Sequence, residues 1–328
     1  MTLRRRILVF LWKLRGWISV LRSGGLRVGS RHYRRRVEQE QEHYGEVHES
    51  SDLCEPSPPV WNEIGDRVQE LIRRRTGDNV LGHVVSRLRS REGARMVSLG
   101  SGACGVELEI ARRAPGADVL CMDINPALLE RGRQAAEAEG LRLRSAEADL
   151  NTVELPRAEF DVIFCHASLH HVLELERLIA QMRDALRPGG ALVVVDVITR
   201  RGYRMWPETR KAVQALFDTL PARYRLNHTA YLPEKAVDRK IWDTDTRSEG
   251  MECLRSDQIV PLLERAFQVR ARVDSHSICR RFFDTMYGPN YDLARPLDRA
   301  IVDWLWDLDR YYLETGALRP ETFFGVYE

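Results

Sequence analysis

Val97-Ser-Leu-Gly-Ser-Gly-Ala-Cys-Gly105 is an apolar run that breaks into three glycines, Gly100, Gly102 and Gly105. The segment Arg95-Met-Val-Ser-Leu99 reads as a buried strand, and Val106-Glu-Leu-Glu-Ile-Ala-Arg-Arg113 reads as a helix. A strand feeding a glycine-rich turn and then a helix lets backbone approach a nucleotide-like ligand closely. It also leaves N–H groups free at the helix start. Alone, this spacing fits more than one such ligand, and it also fits a simple tight turn.

The next ninety residues narrow the choice. Ala117-Asp-Val-Leu-Cys-Met122 ends at Asp123, about twenty residues past the glycines. A carboxylate at the tip of a second strand is placed to accept from both ribose hydroxyls. Ser145-Ala-Glu-Ala-Asp149-Leu150 follows a third strand. There Asp149 can accept from the exocyclic amine of adenine while Leu150 covers the ring. Phe160-Asp-Val-Ile-Phe-Cys165 is an apolar strand that runs into His166-Ala-Ser-Leu-His170-His171-Val172. Leu186-Arg-Pro-Gly-Gly190 then ends a helix and launches the buried strand Ala191-Leu-Val-Val-Val195-Asp196.

In order and spacing these five motifs resemble the class I S-adenosylmethionine (SAM)-dependent methyltransferases. Ser168-Leu-His-His-Val172 and Leu254-Arg-Ser-Asp-Gln-Ile-Val-Pro-Leu-Leu263 are also similar to a narrower group of bacterial methyltransferases of glycan and natural-product pathways. So is the closing stretch from Asp303 to Tyr312 and from Phe323 to Tyr327. The resemblance implies an α/β fold with a Rossmann-like seven-stranded sheet, parallel except for one antiparallel C-terminal strand. It implies SAM as cofactor, held by Gly100, Ser101, Gly102, Gly105, Asp123, Ile124, Asp149, Leu150 and His166. One departure is Ser98, where many family members carry an acid that orders the glycine loop. An NAD oxidoreductase gives no role to Asp149 or to the Pro-Gly-Gly turn.

Methyl transfer from a sulfonium is an in-line displacement, and a hydroxyl acceptor needs a base for its proton. His170 is the first candidate and His166 the second, with His166 also touching cofactor or substrate; His171 reads as structural. Cys165 closes a strand and should point into the sheet layer, so no metal site is expected from this loop. Arg204, His228 and Lys235 lie in a stretch mixing cations with aromatics, and Arg255 lies in the segment shared with the narrower group. These four are the expected acceptor contacts. The leading reading is O-methylation of a small-molecule acceptor: a sugar, a lipid-linked glycan or a secondary metabolite. The alternative is a non-catalytic SAM-binding scaffold docked to a membrane or partner.

Among 328 residues the formal charge is +2, but the charge is unevenly placed. Residues 1–36 hold eleven Lys and Arg and no acid, leaving 39 basic against 48 acidic residues in the rest. Leu3, Ile7, Phe10, Leu11, Leu14, Ile18 and Leu21 share one helical stripe. Lys13 and Arg15 interrupt it, so it is too charged to span a bilayer, and it lacks a cleavage site suited to a signal peptide. Such a helix can lie on an anionic membrane surface, pack on a partner, or pack on its own domain. A nucleic-acid role is disfavoured because no recognisable nucleic-acid module surrounds the arm. Six scattered cysteines without C-x-x-C fit a reducing cytoplasm, with the arm at the inner membrane face if it binds lipid. The expected organisation is a basic arm over 1–36, a linker and helical cover over 37–93, and a methyltransferase domain over 94–328. Helices are expected at Trp61–Arg75 and Asn79–Arg89, and an insertion at about 200–255.

Overall fold

The computed structural model describes residues 26–49, 57–228, 236–243 and 250–328. The five apolar runs form β1 (Arg95–Leu99), β2 (Asp118–Asp123), β3 (Leu143–Glu147), β4 (Phe160–His166) and β5 (Leu186–Val197). They pair in parallel in the order β3-β2-β1-β4-β5. All of β4 except His166 is buried, as expected for a parallel strand covered on both faces. The strand β9 (Thr322–Tyr327) runs antiparallel beside β5, with Val193 opposite Val326. The strand β8 (Val269–Ser275) is antiparallel to β9, so it runs with β5. Six of the seven strands are therefore parallel and one is antiparallel, the sheet the sequence leads one to expect.

Side chains alternate between faces along each strand. Met96, Val119, Phe164 and Val193 point to one face. There they meet α2 (Pro59–Thr76), α3 (Val80–Arg89), α4 (Gly105–Arg113) and α5 (Pro126–Ala138). Val97, Ile163, Cys165 and Leu192 point to the other face, against α6 (Leu175–Ala185) and α8 (Ile259–Ala266). Asparagine side chains cap two of these helices: Asn79 accepts from Gly82 N at 2.8 Å, and Asn125 from Ala127 N at 3.1 Å.

Two stretches differ from the sequence expectation. Residues 30–60, expected as a linker or a surface-hugging arm, include a nineteen-residue helix, α1 (Arg31–Glu49), which crosses the expected boundary at 36. Its Tyr33 is buried with Met251 and Leu254. The insertion, read as having little periodicity, contains α7 (Pro207–Thr219) and the short ribbon of β6 (Leu226–Asn227) and β7 (Ala236–Val237). Val213 and Phe217 of α7, one turn apart, pack with Ile64 of α2 and Phe282 of α9 (Arg280–Phe283). Leu305 of α10 (Pro296–Glu314) completes this third core. The insertion is thus built into the body. Among the described residues no helix is long and apolar enough to cross a membrane. The amphipathic stripe of 3–21 lies outside them, as does Lys235.

Candidate active site

A cavity of about 1220 Å³ lies against the C-terminal ends of the parallel strands. Gly100, Ser101, Gly102, Gly105, Asp123, Ile124, Asp149, Leu150 and His166 all line it. Gly100 N and Ser101 N both donate to Met122 O, at 2.7 and 3.1 Å, which ties the glycine loop to the end of β2. Gly100 has φ +75°, and a Cβ there would come within 2.4 Å of Ser168 Cβ. Asp123 accepts from Gly102 N and Asn125 N, each at 2.8 Å. Burial raises its pKa above the usual carboxylate range, and these two N–H groups oppose the rise.

Ser98, the departure from the family pattern met in the sequence, donates its hydroxyl to Glu107 Oε1 at 2.6 Å. Both residues are buried, and Glu107 belongs to α4. The acid behind the glycine loop therefore comes from the helix and not from β1. Burial pushes the Glu107 carboxyl up to about 7, against the Ser98 bond.

The α1 helix crosses the cavity and is fastened by polar contacts. Tyr33 Oη donates to both Asp149 oxygens, at 2.8 and 2.7 Å. Asn151 N also donates to that carboxylate, at 2.9 Å. Gln41 Nε2 donates to Ile124 O at 2.6 Å, and Arg36 Nη1 donates to Gly250 O at 3.0 Å. Tyr44 Oη donates to Glu252 at 2.8 Å. Glu40 Oε1 sits 2.8 Å from His171 Nδ1, an ion-pair contact poorly angled for a hydrogen bond.

The histidines divide into two kinds. His170 Nδ1 lies 2.6 Å from Asp196 Oδ1, and its Nε2 lies 3.6 Å from Glu252. Asp196 is fully enclosed and also accepts from Ser168 N at 3.1 Å and Leu169 N at 2.7 Å. Burial opposes charge on both partners, yet their mutual attraction wins. The His170 pKa is held well above the usual histidine range and that of Asp196 below its own. His171 is likewise raised: Glu40 and Glu252 overcome burial and the neighbouring His170. His170 is thus tied to Asp196 beneath the loop in a pairing that favours its charged form.

His166 differs. Protein surrounds it, but its ring is exposed to the cavity. Burial lowers its pKa, and only the distant Asp196 pulls the other way. It is thus a neutral imidazole at pH 7, the state a base must be in. Both expected candidates line the cavity, and His166 is the one of the two without a carboxylate partner among the described residues.

His170, His171 and Glu252 could offer ligand atoms within 4.8 Å of one another to a metal ion, though carboxylates already engage both imidazoles. Cys165 points away, with Sγ 3.8 Å from Met182 Sδ in the core.

The expected acceptor contacts lie elsewhere. Arg255 grips Glu176 at 2.6 Å and Leu173 O at 2.7 Å, joining α6 to the segment before α8. His228 Nε2 is bonded to Asn290 Oδ1 at 2.8 Å. Arg204 Nε donates back to Arg201 O at 3.1 Å. None of the three lines the cavity. Trp61, Val197, Tyr203 and Arg280 line it instead. Sequence reasoning missed these and the residues of α1.

Residues 97–194 match the methyltransferase domain family. The chain is 33% identical over 102 residues to a demethylmenaquinone methyltransferase of Thermus thermophilus, covering 31% of this chain and 46% of that protein. It thus spans about half the length of that relative. An uncharacterized protein of Mycobacterium tuberculosis is 25% identical over 242 residues, 70% of this chain and 79% of the other. The geranyl diphosphate C-methyltransferase of Streptomyces coelicolor superposes with a TM-score of 0.45 at 12% identity, covering 76% and 77% of the two chains.

Three features of the structure fit SAM: a glycine cradle that admits no Cβ at Gly100, an enclosed Asp123, and Asp149 across the same cavity. The motifs, the sheet order and the matched domain agree: the chain carries a class I SAM-dependent methyltransferase domain.

Proposed function

We propose that this protein transfers the methyl group of SAM to a hydroxyl of a small-molecule acceptor, with His166 as the base. The observation that carries this is one neutral imidazole at the end of β4, facing the cavity that the glycine loop and Asp123 also line. Bound SAM supplies a methyl group on a cationic sulfur, open to in-line displacement. Asp123 and Asp149 hold the ribose and adenine ends. His166 takes the hydroxyl proton onto a ring nitrogen as the oxygen attacks. The α1 helix covers the cavity and keeps water from competing.

Sugars, lipid-linked glycans and secondary metabolites remain the acceptor classes this reading favours. A lipid-linked acceptor fits best if the basic arm of 1–36 rests on anionic lipid. A second reading is an aromatic acceptor of the demethylmenaquinone kind, favoured by the name of the Thermus thermophilus relative.

Calorimetry with SAM and with NAD tests the cofactor. Radiolabelled SAM offered with sugar and phenol panels tests transfer, and NMR of the product places the methyl on oxygen or carbon. SAM affinity no better than NAD affinity refutes the assignment. Tight SAM binding with no transfer to any panel favours the scaffold alternative.

A further inference from the structure

Arg280 and Arg281 are adjacent in sequence and differ in what they touch. Arg281 is spent on structure: its guanidinium meets both Glu321 oxygens, at 2.9 and 3.0 Å. Arg280 has no carboxylate within ion-pair distance among the described residues. Its Nη1 is buried without a hydrogen-bond partner. Its guanidinium lies over the Tyr203 ring, 4.3 Å from the centroid. Tyr203 itself adopts the left-handed region, φ +63°, which is uncommon for a non-glycine residue. Burial and Arg281 lower the Arg280 pKa to about 10, so it stays charged at neutral pH.

Arg280 is half-buried and feels Glu321, Asp284 and Asp196 only from beyond ion-pair distance, so its enclosed Nη1 is left without a hydrogen bond at a cost. The guanidinium fork matches a carboxylate or phosphate. The sheet order fixes where such a group would sit. Asp149 follows β3 at one edge of the sheet, and Arg280 follows β8 at the other. His166, at the end of β4, lies between them and lines the same cavity. Arg280 therefore lies on the far side of His166 from Asp149.

We infer that the acceptor carries an anionic group, carboxylate or phosphate, which pairs with Arg280 while its hydroxyl faces His166. This rests on the methyl-transfer reading for what the acceptor is, but not for whether Arg280 binds an anion.

The test uses the full chain and three probes: 4-hydroxybenzoate, 4-hydroxyphenyl phosphate and the neutral 4-hydroxybenzamide. Each is titrated calorimetrically with and without saturating S-adenosylhomocysteine. At least one anion should bind ten times more tightly than the amide, and which one does so tells carboxylate from phosphate. Arg280→Met should abolish that preference, and Arg280→Lys should keep part of it. SAM affinity should stay within twofold in both variants, and Arg280→Met should melt no lower than wild type. The inference is overturned if neither anion outbinds the amide or if the preference survives Arg280→Met. A tenfold loss of SAM affinity in Arg280→Met also overturns it, since Arg280 would then serve the cofactor's own carboxylate. Should SAM fail to bind wild type, the methyl-transfer reading falls, while the titrations without S-adenosylhomocysteine still decide the anion site.

Discussion

Glu107→Gln should stabilise the protein in a way that depends on pH. Glu107 is enclosed in the first turn of α4, and its carboxyl is pushed by burial from 4.5 to about 7. A shift of that size corresponds to about 3 kcal/mol between the two protonation states. Between these values the folded chain holds a proton that the unfolded chain has released. Stability therefore falls as pH rises through this window, and the full cost is present above it. Glutamine keeps the acceptor for the Ser98 hydroxyl and cannot ionise. Urea unfolding of wild type and variant at pH 5, 6, 7 and 8 isolates the effect, because other titrating groups cancel in the difference. The variant's advantage should grow by about 2.5 kcal/mol from pH 5 to pH 8, the rest of the effect being already present at pH 5. A flat difference, or one that shrinks as pH rises, refutes the reasoning. Either result means that the folded state compensates the ionised carboxylate.

Four further outcomes are expected. Asp123→Ala should weaken SAM binding by roughly 2–4 kcal/mol, read by calorimetry, as two bonds to a charged acceptor are lost. His166→Ala should lower turnover about 10²–10⁴-fold with SAM affinity intact, and the wild-type rate should fall only as pH drops below the ordinary histidine range. Asp196→Asn should cost about 3–5 kcal/mol in denaturant melts near pH 6, since it strands a buried imidazolium. That loss should shrink with rising pH, because a raised histidine pKa adds stability that disappears as pH climbs through it. A chain lacking residues 1–25 should keep SAM binding and lose sedimentation with anionic vesicles, whereas deleting 1–36 also removes Tyr33 and should weaken SAM binding; retained vesicle binding by the shorter deletion refutes the membrane role of the arm.

The glycine loop, Asp123, Asp149 and the strands could be read because each is a local pattern: an apolar run ending in a residue type its turn requires. Helix α1 could not, because it docks mainly by polar contacts. Arg31 to Glu49 shows mostly charge, and Tyr33, Gln41 and Tyr44 find partners far along the chain. The two arginines at 280 and 281 look alike until Glu321 selects one of them. The pairing of His170 was hidden for a similar reason. Asp196 was visible as the end of a strand, but its bond to His170 exists only once β4 and β5 lie side by side.

The placement of α1 sets the rhythm of the reaction cycle. While Tyr33, Gln41 and Tyr44 keep their bonds, the adenine end of the cavity stays shut. Under the proposed methyl transfer, replacing spent cofactor would require this helix to lift, and an anionic acceptor would approach from the Arg280 side. On that reading cofactor exchange and acceptor exchange would use different doors and run at independent speeds. On a good acceptor the first turnover should outrun the later ones, giving a burst whose trailing rate reports how long product cofactor stays behind the helix. Because α1 begins within the basic stretch of 1–36, anchoring of that stretch would be expected to lengthen this dwell time without changing the rate of the first turnover.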